Sequence, residues 1–114
     1  MTVEPEEKPA ILIIDMVKDY FDHKYGLPIT LMAKKIIEPI NRITDLFREK
    51  GWPVIFPTDS FNEHDFIFTS SMKPHALTGT LGAEVIDELV QTEEDLWLPK
   101  PRFSAFFKTG LEDW

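Results

Sequence analysis

Ala10-Ile11-Leu12-Ile13-Ile14 is an unbroken aliphatic run, closed by Asp15. A short apolar run without alternation suits a strand buried on both faces, as in a parallel sheet. The period then changes. Met32, Ile36, Ile40, Ile43 and Phe47 recur at spacings of four and three, which predicts a single apolar stripe along a helix. Thr30 is placed to cap that helix, Lys50 lies in its last turn, and Gly51 suits the position after its end. Pro39 falls inside the pattern and predicts a kink or a split. Pro53-Val54-Ile55-Phe56-Pro57 reads as a second strand, ending in Thr58-Asp59-Ser60. Residues 60–81 hold no sustained period and read as a long loop, a length that compact domains commonly use for function. Gly82 to Val90 predicts a second helix, with Val85, Ile86, Leu89 and Val90 on its apolar face and Thr80 as its cap. Asp95-Leu96-Trp97-Leu98-Pro99 is the third strand, and Lys100 follows it directly. Strand, helix, strand, helix, strand predicts an α/β fold with parallel pairing.

The two ends read differently. Residues 1–9 are acidic and proline-bearing and form a solvated leader. Thr109-Gly110-Leu111-Glu112 has the spacing of a capping box, which announces a helix. Only Asp113 and Trp114 follow. Residues 10–114 are therefore expected to be the N-terminal part of a domain whose sheet is truncated after the third strand. The alternative is a complete small domain with a frayed tail.

Composition narrows the class. Of 114 residues, 43% are hydrophobic and 28% charged, which is globular rather than disordered. No run approaches the roughly 20 apolar residues of a membrane helix. With no such run, no membrane is expected as a partner; twelve basic against twenty acidic side chains give a net charge of −8, a field that repels a phosphate backbone, so nucleic acid is not expected either. There is no cysteine, so disulfides, Cys-ligated zinc and a cysteine nucleophile are excluded within these residues. The leader is unlike a signal peptide, and a cytoplasmic location is the expectation.

Each predicted strand ends in an ionisable residue: Asp15, Asp59 and Lys100. Open parallel sheets bind ligands beyond the C-terminal ends of their strands. Neighbouring strands lie ~4.8 Å apart, so these three groups can meet if their strands pair in parallel. A carboxylate there can act as a general base and an ammonium can stabilise developing negative charge. A structural salt bridge or a helix-capping aspartate is the competing reading, and both stand at this point. Asp59 with His75 or His64 could bind a divalent metal, against a plain loop role for both histidines. His23 reads as a surface residue. Phe21, Phe61 and Phe106 are candidates for the walls of a substrate pocket, the alternative being core or subunit packing.

Four blocks carry a resemblance. Ala10-Ile11-Leu12-Ile13-Ile14-Asp15-Met16 with Asp19-Tyr20-Phe21, then Phe56-Pro57-Thr58-Asp59-Ser60, then the segment from His75 to Glu84, then the segment from Lys100 to Leu111, together resemble the isochorismatase-like hydrolases, which include nicotinamidases. The resemblance implies a Rossmann-like three-layer α/β/α fold with a parallel sheet of about six strands. It implies a hydrolase acting on a small-molecule amide or related C–N or C–O bond, commonly as a homo-oligomer. It also implies an aspartate–lysine–cysteine triad, of which Asp15 and Lys100 match the first two members and the cysteine would lie beyond residue 114. Two positions depart from the nicotinamidase pattern. Val17 replaces the usual glutamine, and Phe61 replaces the histidine of the metal-binding Asp-x-His. Asp59 and His75 match the outer metal positions, so zinc is conceivable but no cofactor is expected to be required. A non-catalytic oligomerisation or interaction module that keeps half of the fold is the rival. A nucleotide-binding domain has less support, since no glycine-rich loop follows the first strand.

Overall fold

Branched aliphatics at positions 11–14 and 54–56 supply the stiff side chains that a buried sheet accepts. In a computed structural model, which describes residues 7–22, 28–69 and 72–113, they contribute the first and the central strand of a three-stranded parallel sheet. β1 (Ile11–Leu12) pairs with β2 (Val54–Asp59), and β2 pairs with β3 (Leu96–Lys100), in the order β1-β2-β3. The β1 ladder continues past its two regular residues. Ile13 N–H donates to Ile55 O and Asp15 N–H donates to Pro57 O, at 2.8 and 2.9 Å. The register sets Asp59 beside Lys100, and it delivers Asp15 to the same sheet edge.

One sheet face carries the larger core, built from Ile13, Met16, Val54, Phe56, Val85, Ile86 and Leu89. Each large apolar side chain sealed there contributes roughly 1.5–3 kcal/mol. The opposite face holds Ile55 and Leu98, covered by Ala105 and Leu111. The chain is thus α/β, with its helical layer on the first face.

That layer is two helices, α1 (Thr30–Lys34) and α2 (Ile37–Glu49). The break at Lys35 and Ile36 lies just before Pro39, which has no N–H to donate to the carbonyl of Lys35. Pro39 itself sits in the first turn of α2, where an N–H would be unused. The break resets the helical phase, so the single stripe expected from the sequence is corrected. Ile37, Ile40 and Phe47 pack on the core with Thr44 buried beside them, whereas Met32, Ile36 and Ile43 are exposed. Nor does the Thr30 side chain cap α1. It is the first helical residue, and its hydroxyl donates to Tyr20 O at 2.6 Å.

The helix expected over 82–90 is also corrected. Only a 3-10 turn, Leu81–Ala83, forms, and Thr80 precedes it with its hydroxyl turned to Leu77 O. Val85 then makes an antiparallel bridge to Val17. Lys18 N–H donates to Glu84 O and Ile86 N–H to Met16 O, at 2.9 and 3.0 Å, which diverts backbone groups that a helix would need. The β-branched pair Val85-Ile86 tolerates this extended conformation well. Arg48 closes the layer. Its guanidinium grips the buried Asp95 carboxylate at 2.7 and 3.2 Å and the Val90 carbonyl at 2.8 Å. The expected helix after Thr109 is a 3-10 turn, Leu111–Asp113, whose Leu111 N–H reaches the Thr109 hydroxyl at 3.3 Å. Most of the leader, residues 1–6, and His23 lie outside the described residues. Among the described residues no helix is long and apolar enough to cross a membrane.

Candidate active site

Asp15 ends the β1 ladder with φ at 61°, in the left-handed region. A non-glycine residue there costs about 1–2 kcal/mol, least for Asp and Asn. The twist turns its carboxylate across the sheet edge, where Oδ1 accepts the Asp59 N–H at 3.0 Å. Lys100 emerges from β3 with its side chain wholly inaccessible to solvent. Its ammonium donates to Asp59 Oδ1 at 2.6 Å and to the Phe103 carbonyl at 2.9 Å, and it straddles the two Asp15 oxygens at 3.1 and 3.2 Å. Two carboxylates therefore share one buried cation, as the strand ends suggested.

The electrostatics are uneven. Burial, and then the Asp59 charge, hold the Asp15 carboxyl above its ordinary 3.8, against the opposing pull of Lys100. A raised carboxyl takes up a proton more readily, which suits a general base. The Tyr20 hydroxyl donates to Asp59 Oδ2. Burial and that hydrogen bond push its phenol far upward, so it stays a donor.

The remaining candidates are dispersed. Phe61 is buried, with Phe68, His75 and Phe103 set around it edge-on at centroid distances of 5.7, 6.0 and 5.9 Å. Phe21 packs on the main core. Phe106 is 57% exposed and lines a concavity with Leu12, Ile55 and Leu111 on the second sheet face. The three phenylalanines thus form no common wall. His75 stacks at 5.5 Å from the Tyr20 ring, with Nδ1 2.8 Å from the Lys73 carbonyl. His64 is exposed and faces Glu63.

Three features were not singled out from the sequence. Tyr20 lies on the 3-10 turn Lys18–Phe21 next to Phe21; successive side chains on such a turn diverge by about 120°, and only Tyr20 faces the site. Asp19 is buried and accepts the Ala76 N–H at 2.8 Å, pinning the long loop, and Gly82 lies hard against its carboxylate. Arg102 donates to Asp65 at 2.6 Å, fastening that loop to the segment after β3. The Asp19-Tyr20-Phe21 block stood in the sequence, but its phase on a tight turn was not legible there.

A metal finds little purchase. Both Asp59 oxygens are engaged by cationic or hydroxyl donors, and Phe61 offers no ligand atom. Among the described residues no group of three or more His, Cys, Asp or Glu side chains could hold an ion. The donor set present does not fit zinc.

Comparison with known proteins gives a consistent picture. The family model for the isochorismatase domain matches residues 9–114. A protein of Arabidopsis thaliana named "Probable inactive nicotinamidase" is 32% identical over 113 residues, which cover 90% of this chain and 56% of that one. The crystal structure of N-carbamoylsarcosine amidase from Thermoplasma acidophilum superposes with a TM-score of 0.78 at 34% identity, covering 94% of this chain and 60% of that one. The pyrazinamidase of Pyrococcus horikoshii in complex with zinc matches at a TM-score of 0.72 and 23% identity, over 91% of this chain and 61% of that one, a likeness of fold alone. The chain thus spans little more than half the length of these relatives.

Proposed function

The chain belongs to the isochorismatase family, and from that premise we propose that it supplies two catalytic groups of a hydrolase for a small amide or related C–N or C–O bond. The observation that carries the reading is the Lys100 ammonium held between Asp15 and Asp59 at the C-terminal edge of the sheet. In this reading the nucleophile is a cysteine thiolate from outside these 114 residues, which contain no cysteine. Asp15 takes the thiol proton. The thiolate adds to the carbonyl carbon, the C–N bond breaks, and the amine departs with the proton that Asp15 returns. Water then cleaves the thioester as Asp15 accepts its proton and the thiolate leaves. Lys100 stabilises the negative charge that grows on sulfur and oxygen. The raised Asp15 carboxyl supports its role, since a base must also be able to give the proton back. Self-association belongs to the same reading and is supported by the exposed Leu31, Met32, Ile36 and Ile43.

The test is ammonia release from a panel of small amides by the full-length protein. Asp15→Asn and Lys100→Ala are each expected to lower kcat/KM by about 100-fold or more, in the range of general-base and charge-stabilising groups. Unchanged turnover in both variants refutes the assigned roles.

A further inference from the structure

Lys100 has three ammonium hydrogens and three acceptors: Asp15, Asp59 and the Phe103 carbonyl. Asp59 is 2% exposed, and each of its oxygens is taken, one by Lys100 and the other by the Tyr20 hydroxyl. Tyr20 in turn is fixed at both ends. Its backbone carbonyl accepts from the Thr30 hydroxyl, its N–H donates to Val17 O at 3.1 Å, and its ring packs on His75.

We propose that Tyr20 and Asp59 are positioning residues, which hold the Lys100 ammonium in a single place and occupy the carboxylate that a metal ion would otherwise use. This inference rests on the reading of Lys100 as a charge-stabilising group. Tyr20 stops the Asp59 carboxylate from rotating. The fixed carboxylate stops the ammonium from swinging toward Asp15 alone and collapsing into a simple pair. Lys100 thereby stays placed at the sheet edge, with its charge divided between two acids. A divalent ion bound to Asp59 at ordinary ligand distance would stand within about 5 Å of the ammonium, in a site with little water to screen the repulsion. The Tyr20–Asp59–Lys100 chain and a metal at Asp59 are alternatives.

Tyr20→Phe keeps the ring and removes only the hydroxyl. Asp59→Asn keeps the shape and removes the charge. The first readout is the 15N-detected Lys100 ammonium signal, assigned by its loss in Lys100→Met. It is expected as a slowly exchanging resonance in the wild type, with hydrogen exchange about tenfold faster in Tyr20→Phe and the signal lost in Asp59→Asn. The second readout is calorimetric titration with zinc, where the wild type is expected to show no stoichiometric binding. The third, wherever amide turnover is found, is a kcat about tenfold lower in Tyr20→Phe with KM within twofold, the pattern of an interaction made in the transition state. Unaltered ammonium exchange in both variants, or one zinc per chain that Asp59→Asn abolishes, overturns the proposal. A protein that hydrolyses no amide defeats the hydrolase reading alone, because the ammonium and zinc measurements need no substrate.

Discussion

Lys100→Met exposes what the buried cation contributes. Methionine preserves the length and most of the apolar stem, so the change is chiefly the loss of charge and of three hydrogen bonds. Asp59, at 3% side-chain exposure, is then left with the Tyr20 hydroxyl and no counter-ion, while Asp15, at 31%, keeps some access to water. Removing one partner of a buried pair costs about 3–5 kcal/mol, since the survivor stays desolvated. Against a total stability of about 5–15 kcal/mol, that is a large share. For a domain of this size it corresponds to a melting temperature roughly 10–20 °C lower. The assay is urea unfolding at pH 7.5 followed by tryptophan fluorescence. Trp97 is a local reporter, for its indole N–H donates to the Thr58 hydroxyl one residue before Asp59. Adding Asp59→Asn to the methionine variant is expected to recover more than half of the loss, because the stranded charge is gone. A single variant within about 1 kcal/mol of wild type, or a double variant no better than the single, refutes the electrostatic argument.

Other expectations follow from the same geometry. A Cβ at Gly82 would lie 2.2 Å from the Asp19 carboxylate, so Gly82→Ala must displace Asp19 from the Ala76 N–H; a loss of about 2–3 kcal/mol in chemical denaturation is expected, and a neutral result contradicts the packing. Arg48→Leu strands the buried Asp95 and frees the Val90 carbonyl, and should cost about 3 kcal/mol, with hydrogen exchange quickening over residues 88–95 if the clamp works as described. Asp15 has a folded-state pKa above 3.8, so its ionised form opposes folding at neutral pH and that penalty fades as pH falls through the folded pKa toward 3.8. The stability difference between wild type and Asp15→Asn should therefore move in favour of wild type on acidification, and movement the other way in paired melts contradicts the assignment.

The parts legible in the sequence were those governed by short-range rules. Short aliphatic runs mark where the strands lie, although burial on both faces holds for Val54–Asp59 and not for the first run, whose Ile14 is half-exposed; an ionisable residue at each strand end needs only parallel pairing in chain order to converge. Asp15, Asp59 and Lys100 meet for that reason. The helix over 82–90 failed because periodicity cannot see a competing backbone partner, here the Met16–Lys18 segment. The split expected at Pro39 is there, and Ile40 and Phe47 face the core as the stripe predicted, but the break put Ile37 on that face and left Met32, Ile36 and Ile43 exposed. Phe21, expected at the pocket wall, packs on the core and its neighbour Tyr20 faces the site, because the phase of a single 3-10 turn is set by tertiary contacts. The contact between Gly82 and Asp19 spans more than sixty residues and has no local signature at all.

On the proposed reading of Asp15 as the base, the backward-curled backbone at position 15 subjects one codon to two independent selections. Folding there favours residues that tolerate that curl, namely glycine, asparagine and aspartate. Only the last of these also brings a negative charge. A saturation library at this codon should therefore sort into three bins: β-branched substitutions that fail to accumulate, asparagine and glycine that accumulate as inert protein, and aspartate alone in the third. Few positions in a chain let yield and chemistry be scored separately by changing a single side chain.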